Sequence, residues 1–208
     1  MVVPFRLHAG EPAPVQQSST TCGSASLTVA RMLVDPEFAQ WVREGVGPSV
    51  PGVAAHATDP VAARFAAYEQ IVAGRTNALL GVGGRLQLPW PRALGTPPWG
   101  ARNELEHGAA DPGARYSISW TRFRGPRQRA TAYRVLRERV SHGRPALLYI
   151  GNGRLPRHVV LVVSRDATAL HVYEPATGQV LPMTEDRFAG QRVGLAGWNV
   201  PWAVVWAT

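Results

Sequence analysis

The stretch Thr20-Thr21-Cys22-Gly23-Ser24-Ala25-Ser26-Leu27-Thr28-Val29-Ala30-Arg31-Met32-Leu33-Val34-Asp35-Pro36 decides how the rest of the chain is read. Two threonines before an apolar run favour a helix start at Cys22. Leu27, Ala30, Met32, Leu33 and Val34 make that helix mostly buried. Asp35-Pro36 closes it and opens a second helix, with Asp35 as cap and Pro36 in the first turn. Phe38, Trp41 and Val42 supply the second helix's apolar face. Cys22 is the only cysteine in the chain, so it has no internal disulfide partner. At a helix start, the helix dipole and free amide groups favour the thiolate, the reactive form.

Working outward, residues 1–15 are proline-spaced and extended. Residues 45–125 hold most of the prolines and many glycines, and read as a loop-rich insertion carrying Trp90 and Trp99. Within it, 60–73 has a clean helical pattern (Val61, Phe65, Tyr68, Ile71, Val72), and 101–107 fits a short helix. A helix returns over Arg127–His142, with Gly143 as its stop. Strands follow at Ala146–Ile150, His158–Ser164, Leu170–Glu174, Gln179–Leu181 and Trp202–Trp206, with short turns between several of them. Helices first and an antiparallel sheet after them predict an α+β architecture, with 1–208 as one domain.

A thiolate nucleophile needs a base, and the base needs an orienting acceptor. His158 opens one strand and Glu174 closes the next, so a hairpin would set imidazole beside carboxylate. Gln16 lies six residues before Cys22, where its amide could join the Cys22 backbone N–H as an oxyanion donor. Gln17 is the alternative if the loop register differs. Trp90 and Trp99 suit packing first and substrate contact second. There is no Gly-x-Ser-x-Gly elbow, so serine hydrolysis is disfavoured. No Cys/His cluster has zinc spacing, and the chemistry calls for no metal and no cofactor.

These residues resemble a known family. Gln16-x5-Cys22-Gly23-x-Ala25-x-Leu27 is similar to the signature of papain-like cysteine peptidases, closest to the branch of bacterial double-glycine leader peptidases and their stand-alone relatives. Gly143-Arg-Pro-Ala-Leu-Leu-Tyr-Ile, His158-Val-Val-Leu-Val-Val, Val172-Tyr-Glu174-Pro175 with Gly178, and Met183-Thr-Glu-Asp-Arg-Phe188 follow that branch's order. The resemblance covers roughly residues 14–43 and 127–206. It implies a papain-like α+β fold, with N-terminal helices carrying the cysteine packed on a C-terminal sheet carrying the histidine and acid. It implies a thiol protease with Cys22 as nucleophile, His158 as base and acid, Glu174 as orienter and Gln16 as oxyanion donor. Glu174 stands where the family usually has Asp or Asn. Arg157 precedes the histidine where the branch often has a small residue. Leader peptidases of this type are commonly fused to transporters, and no apolar run here approaches the ~18 residues a membrane span needs. Leader-peptide specificity is therefore not implied.

Composition narrows the partners. Of 208 residues, 45% are hydrophobic and 17% charged, enough apolar content for a packed core. Net charge is +8, from 22 basic and 14 acidic residues, and every basic residue is arginine. The absence of lysine fits a GC-rich genome, and it also fits a toxin or effector delivered into another cell. From Arg115 to Arg157 there are eleven arginines and one acid, Glu138. This segment could steer an acidic protein partner. No helix-turn-helix, RNA-binding aromatic signature or zinc finger accompanies it, which argues against nucleic acid. The expected partner is a peptide or protein substrate. Met1 to Gly10 has no signal-peptide core, so the expected location is cytoplasmic, or another cell reached by a signal-independent route. Two alternatives stay open: an acyltransferase or deamidase effector on the same fold, and a non-catalytic polyanion-binding module using the 115–157 arginines.

Overall fold

Asp35 shows how local chemistry sets the first elements. Its carboxylate accepts a hydrogen bond from the Phe38 amide at 3.0 Å, and Pro36 occupies the first turn beyond it. One helix therefore ends and another begins within two residues. In a computed structural model, which describes residues 4–47 and 50–208, α1 is Cys22–Val34 and α2 is Pro36–Glu44. Then come α3 (Val61–Asn77), α4 (Pro98–Glu104) with a π turn at Leu105–Ala109, β1 (Tyr116–Trp120) and α5 (Pro126–Arg139). The chain closes with β2 (Ala146–Gly151), β3 (Pro156–Arg165), β4 (Leu170–Glu174), β5 (Gln179–Met183), α6 (Glu185–Ala189) and β6 (Val200–Ala207).

The six strands form one antiparallel sheet in the order β1-β6-β2-β3-β4-β5. The fold is α+β, with the helix carrying Cys22 packed on a sheet that carries His158 and Glu174. Strand alternation divides the core into two layers. Leu147, Tyr149, Val159, Leu161 and Val163 face a cluster built with α1 to α4. Leu148, Ile150, Val160 and Val162 face a second cluster with α5 and α6. Both faces of β2 and β3 are covered, which explains their near-continuous apolar sequences.

Three differences from the sequence expectations have physical causes. The 45–125 segment, read as a loop-rich insertion, also supplies core: Phe65, Tyr68 and Val72 of α3, with Ala101 and Leu105, are buried on the helix side. Its last part, β1, is an edge strand paired with β6, although Tyr-Ser-Ile-Ser-Trp is short and half polar. The 127–142 helix ends early, at Arg139, where Ser141 and Arg144 form a bridge around Gly143.

The Arg115–Arg157 run does not form one free basic patch. Arg122 donates to the Gly153 carbonyl, Arg137 to the Asp166 and Ala167 carbonyls, and Arg139 to the Ala207 carbonyl. Arg129 bonds the carbonyls of Arg124 and Ala189, and Arg134 pairs with Glu185. These guanidiniums tie loops and strand ends together, which leaves fewer of them for a partner. Among the described residues, no helix is long and apolar enough to cross a membrane.

Gly100 fixes how closely α4 approaches α3. A Cβ there would stand 2.2 Å from the Thr76 carbonyl oxygen, which is backbone and cannot step aside. Gly100→Ala is expected to destabilise the fold by about 1–3 kcal/mol through overpacking. Gly125→Ala, where a Cβ meets nothing within 4 Å, should stay within about 0.5 kcal/mol. Urea unfolding of the two variants checks this; equal midpoints would show that α4 can move away freely.

Candidate active site

Cys22 is the first residue of α1 and is 5% exposed. The turn before it closes on itself: Thr21 Oγ1 donates to the Ser18 carbonyl at 2.9 Å and accepts from the Ser18 amide at 3.2 Å. Thr21 therefore does not cap the helix through its side chain, as the sequence suggested. The first helical bond runs from the Ala25 amide to the Thr21 carbonyl. The N–H groups of Cys22, Gly23 and Ser24 find no partner among the described residues, and stand as free donors at the positive end of a 13-residue helix.

Gly23 has a steric role. A Cβ on it would lie 2.6 Å from both Cβ and Oγ1 of Thr96. The loop before α4 thus packs directly on the first turn of α1. Tyr149 holds that loop from below, its hydroxyl donating to the Thr96 carbonyl at 3.1 Å. Burial first, then the nearby charge of Cys22, pushes the Tyr149 phenol well above its ordinary pKa, so it stays a neutral donor.

His158 and Glu174 meet through strand register. Leu161 pairs with Tyr173 in the β3–β4 ladder. His158 lies before that pair near the start of β3 and Glu174 after it at the end of β4, so both stand at the same end of the sheet. The gap is bridged: His158 Nε2 and Glu174 Oε1 are 2.6 Å apart, with the side chains 7% and 1% exposed. Glu174 Oε1 also accepts from the Ala176 amide at 2.9 Å, while Oε2 is buried with no partner. The ring therefore meets Glu174 through Nε2, and Nδ1 is its other nitrogen. Burial lowers the His158 pKa, but hydrogen bonds and charge attraction from Cys22 and Glu174 outweigh it and raise the value to about 9. The ring is thus held between thiol and carboxylate.

Gln16 and Gln17 have different surroundings. The Gln16 amide donates to the Pro175 carbonyl at 2.8 Å, which ties the loop before Cys22 to the turn after Glu174. Its Oε1 is buried without a partner, and its Nε2 makes no hydrogen bond among the described residues. The donor end is therefore the open end, although Gln16 does not line the cleft described below. Gln17 is committed elsewhere, its Nε2 to the Val15 carbonyl at 2.8 Å and its amide to Glu69 Oε2 at 3.2 Å. That arrangement disfavours Gln17 as the alternative donor.

A cleft of about 480 Å³ opens over Cys22 and His158. Its walls carry Trp90, Trp99, Trp120 and Trp202, and its one charged side chain besides the histidine is Arg157. Trp90 and Trp99 stack edge to face with centroids 5.3 Å apart. Trp99 Nε1 donates to the Leu88 carbonyl and Trp202 Nε1 to the Asn152 carbonyl, which fixes both rings. Among the described residues, no group of three or more His, Cys, Asp or Glu side chains could hold a metal ion.

Sequence reasoning missed Glu69, Tyr149, Trp120 and Trp202. Glu69 lies on α3, fully buried, and receives the Gln17 amide. Burial raises its pKa, against hydrogen bonds from Thr21 and the Gln17 amide. An isolated acid on a helix that also carries Arg64, Gln70 and Arg75 reads as solvent-facing, so its burial had no local signal.

No protein-family model matches the chain, and no curated protein matches it. Among solved structures it is similar to the Pseudomonas avirulence protein AvrPphB, at 12% identity and a TM-score of 0.45, over 93% of this chain and 95% of that one.

Because the Glu69 pKa is raised in the fold, its contribution is full below the unfolded value and falls as pH rises through the folded one. Glu69→Gln keeps an acceptor and cannot ionise. It is expected to melt higher than the parent above pH 7, with the gap closing toward pH 4.5. Melting curves across that range check this, and a pH-independent difference would contradict it.

Proposed function

We propose that this chain is a papain-like thiol hydrolase that cleaves a peptide, isopeptide or side-chain amide bond. The observation that carries the proposal is the buried 2.6 Å contact between His158 Nε2 and Glu174 Oε1, with Cys22 as the ring's other partner. A helix-start thiol, an imidazole and a buried carboxylate in series are the parts of a nucleophile–base–orienter relay.

In this reading the Cys22 sulfur attacks the carbonyl carbon, and His158 Nδ1 holds the thiol proton. The carbonyl oxygen becomes an oxyanion near the free N–H of Cys22, with Gln16 Nε2 as the second donor. His158 then protonates the leaving amine, and a thioester remains on Cys22. Water attacks the thioester, His158 takes its proton, and the acid product leaves with the thiol restored. Glu174 holds the ring in one orientation throughout, through the 2.6 Å contact to Nε2. The four tryptophans shape an apolar cleft that lowers the local water content. No metal or cofactor has a step in this scheme.

The motif order in the sequence favours the stand-alone relatives of the leader peptidase branch. A protein or peptide is the substrate class that fits an apolar cleft of this volume. Action inside another cell, as an effector, is the proposed setting; the lysine-free sequence is compatible with it.

Iodoacetamide should alkylate Cys22 faster than glutathione at pH 7, and His158→Gln should slow that labelling by about tenfold or more. The His158 dependence should fade above pH 9, where the ring becomes neutral. Glu174→Asp, one methylene short of the ring, should lose more labelling rate than Glu174→Gln. If Cys22 in the native protein labels no faster than glutathione, the nucleophile assignment fails.

The same ring links activity to stability. A raised histidine pKa contributes stability that is full below pH 6.5 and lost as pH rises through about 9. The melting difference between the parent and His158→Gln should therefore shrink across pH 6.5–9. A difference that grows over that window would overturn the charge arrangement.

A further inference from the structure

Leucines in this protein are mostly buried, with one concentrated exception. Leu79, Leu80, Leu86, Leu88 and Leu94 are exposed by 57%, 55%, 76%, 71% and 65%. All five fall in one short segment between α3 and α4.

The backbone there is a two-stranded ribbon. The Gln87 amide donates to the Leu79 carbonyl, the Gly81 amide to the Arg85 carbonyl, and Leu80 bridges Leu86. Gly83 and Gly84 turn the tip with φ of 64° and 73°. The ribbon has an inner and an outer face. Gln87 points inward, its Nε2 donating to the carbonyls of Arg75, Thr76 and Ala78, which are orphaned at the end of α3. Its Oε1 accepts from Asn103 Nδ2. Alternation then turns Leu86 and Leu88 outward, and the bridge sets Leu80 beside Leu86. The body anchors the ribbon firmly and leaves its leucines in water.

Charge indicates the occupant. From Gln70 to Asn103 there is no acidic residue, and there are four arginines. Arg75 is paired with Glu104, while Arg85 and Arg92 have no side-chain hydrogen bond among the described residues. The patch is leucine and arginine. Protein–protein hot spots favour aromatic residues and arginine and under-represent leucine. Leucine is among the side chains that partition best into lipid, and arginine finds phosphate there.

We propose that the ribbon Leu79–Leu88 docks on an anionic lipid surface, with Leu80, Leu86 and Leu88 at the acyl boundary and Arg85 and Arg92 among the headgroup phosphates. The contact is peripheral and requires no spanning helix. Trp90, Leu94 and Trp99 follow the ribbon and line the cleft, so docking would bring the cleft mouth near the bilayer surface.

The test uses the full chain carrying Cys22→Ala, so vesicle binding is read apart from turnover and survives or fails independently of the hydrolase reading. It is sedimented with phosphatidylcholine vesicles, with and without about 30 mol% phosphatidylserine. Binding is expected to the anionic vesicles and to be weak on phosphatidylcholine alone. Combining Leu80→Gln, Leu86→Gln and Leu88→Gln should cut partitioning by about tenfold or more, with melting unchanged because all three side chains are exposed. Leu86→Gln alone should give an intermediate loss. Arg85→Gln with Arg92→Gln should weaken binding and flatten its salt dependence. No binding to anionic vesicles overturns the proposal and directs attention to a protein partner. Equal binding by the leucine variant also overturns it, because the net charge of the chain would then account for the association.

Discussion

Helix α1 lies across strand β3, and the site depends on that crossing. Ser26, in the second turn of the helix, donates through Oγ to the Val159 carbonyl at 3.4 Å. Val159 follows His158, so one contact sets the distance between the start of the helix and the start of the strand. Burial reinforces it: Ala25, Leu27 and Val29 are sealed against the face of the sheet that carries Leu147, Leu161 and Val163. Core packing at this density leaves little room to slide. A one-residue slip of β3 would carry every side chain to the opposite face, and His158 would leave the cleft with it.

The Cys22 side and the Glu174 side are also joined through backbone. The Ala13 amide donates to the Gly178 carbonyl, the Gln16 amide to the Pro175 carbonyl, and Tyr173 Oη to the Pro14 carbonyl. Residues 13–16 therefore run along the β4–β5 turn that follows Glu174. Gly178 makes this possible in two ways: it has φ of +68°, and a Cβ on it would stand 2.3 Å from the Ala13 carbonyl oxygen. From below, Glu69 receives the Gln17 amide. A buried carboxylate is costly, and removing it would leave a buried amide unsatisfied. The loop before Cys22 thus has fixed partners on two elements distant in sequence.

Much of this was legible in the chain because it is written in short-range patterns. Thr20-Thr21-Cys22 and Asp35-Pro36 mark helix boundaries through local chemistry, and His158–Ser164 and Leu170–Glu174 mark strands through composition. What escaped depends on partners far away. β1 is half polar because only part of its surface is covered, and its identity as a strand comes from β6, some eighty residues later. Glu69 looks like a surface position on its own helix; only the arrival of the Gln17 loop buries it. Trp120 and Trp202 read as a loop residue and a strand residue, and the cleft they share exists only once β1 and β6 pair.

The choice of glutamate at position 174 follows from the same register. Directly opposed residues on adjacent strands bring their Cβ atoms to about 5 Å, and diagonal ones to about 7–8 Å. His158 stands beyond the last β3–β4 pair, Leu161 with Tyr173, so an acid at the end of β4 must reach along the sheet to meet it, and the extra methylene of glutamate supplies that reach. The cost is a more flexible side chain, with another torsion to restrain. The structure restrains it through the Ala176 amide on Oε1 and through near-complete burial. A shorter acid would be stiffer but would need β3 and β4 to shift, and the smallest shift that keeps the side-chain faces is two residues. Such a shift preserves the side-chain faces but displaces His158 along the sheet from the first turn of α1. The glutamate and the strand register therefore belong together, and neither can be exchanged without the other.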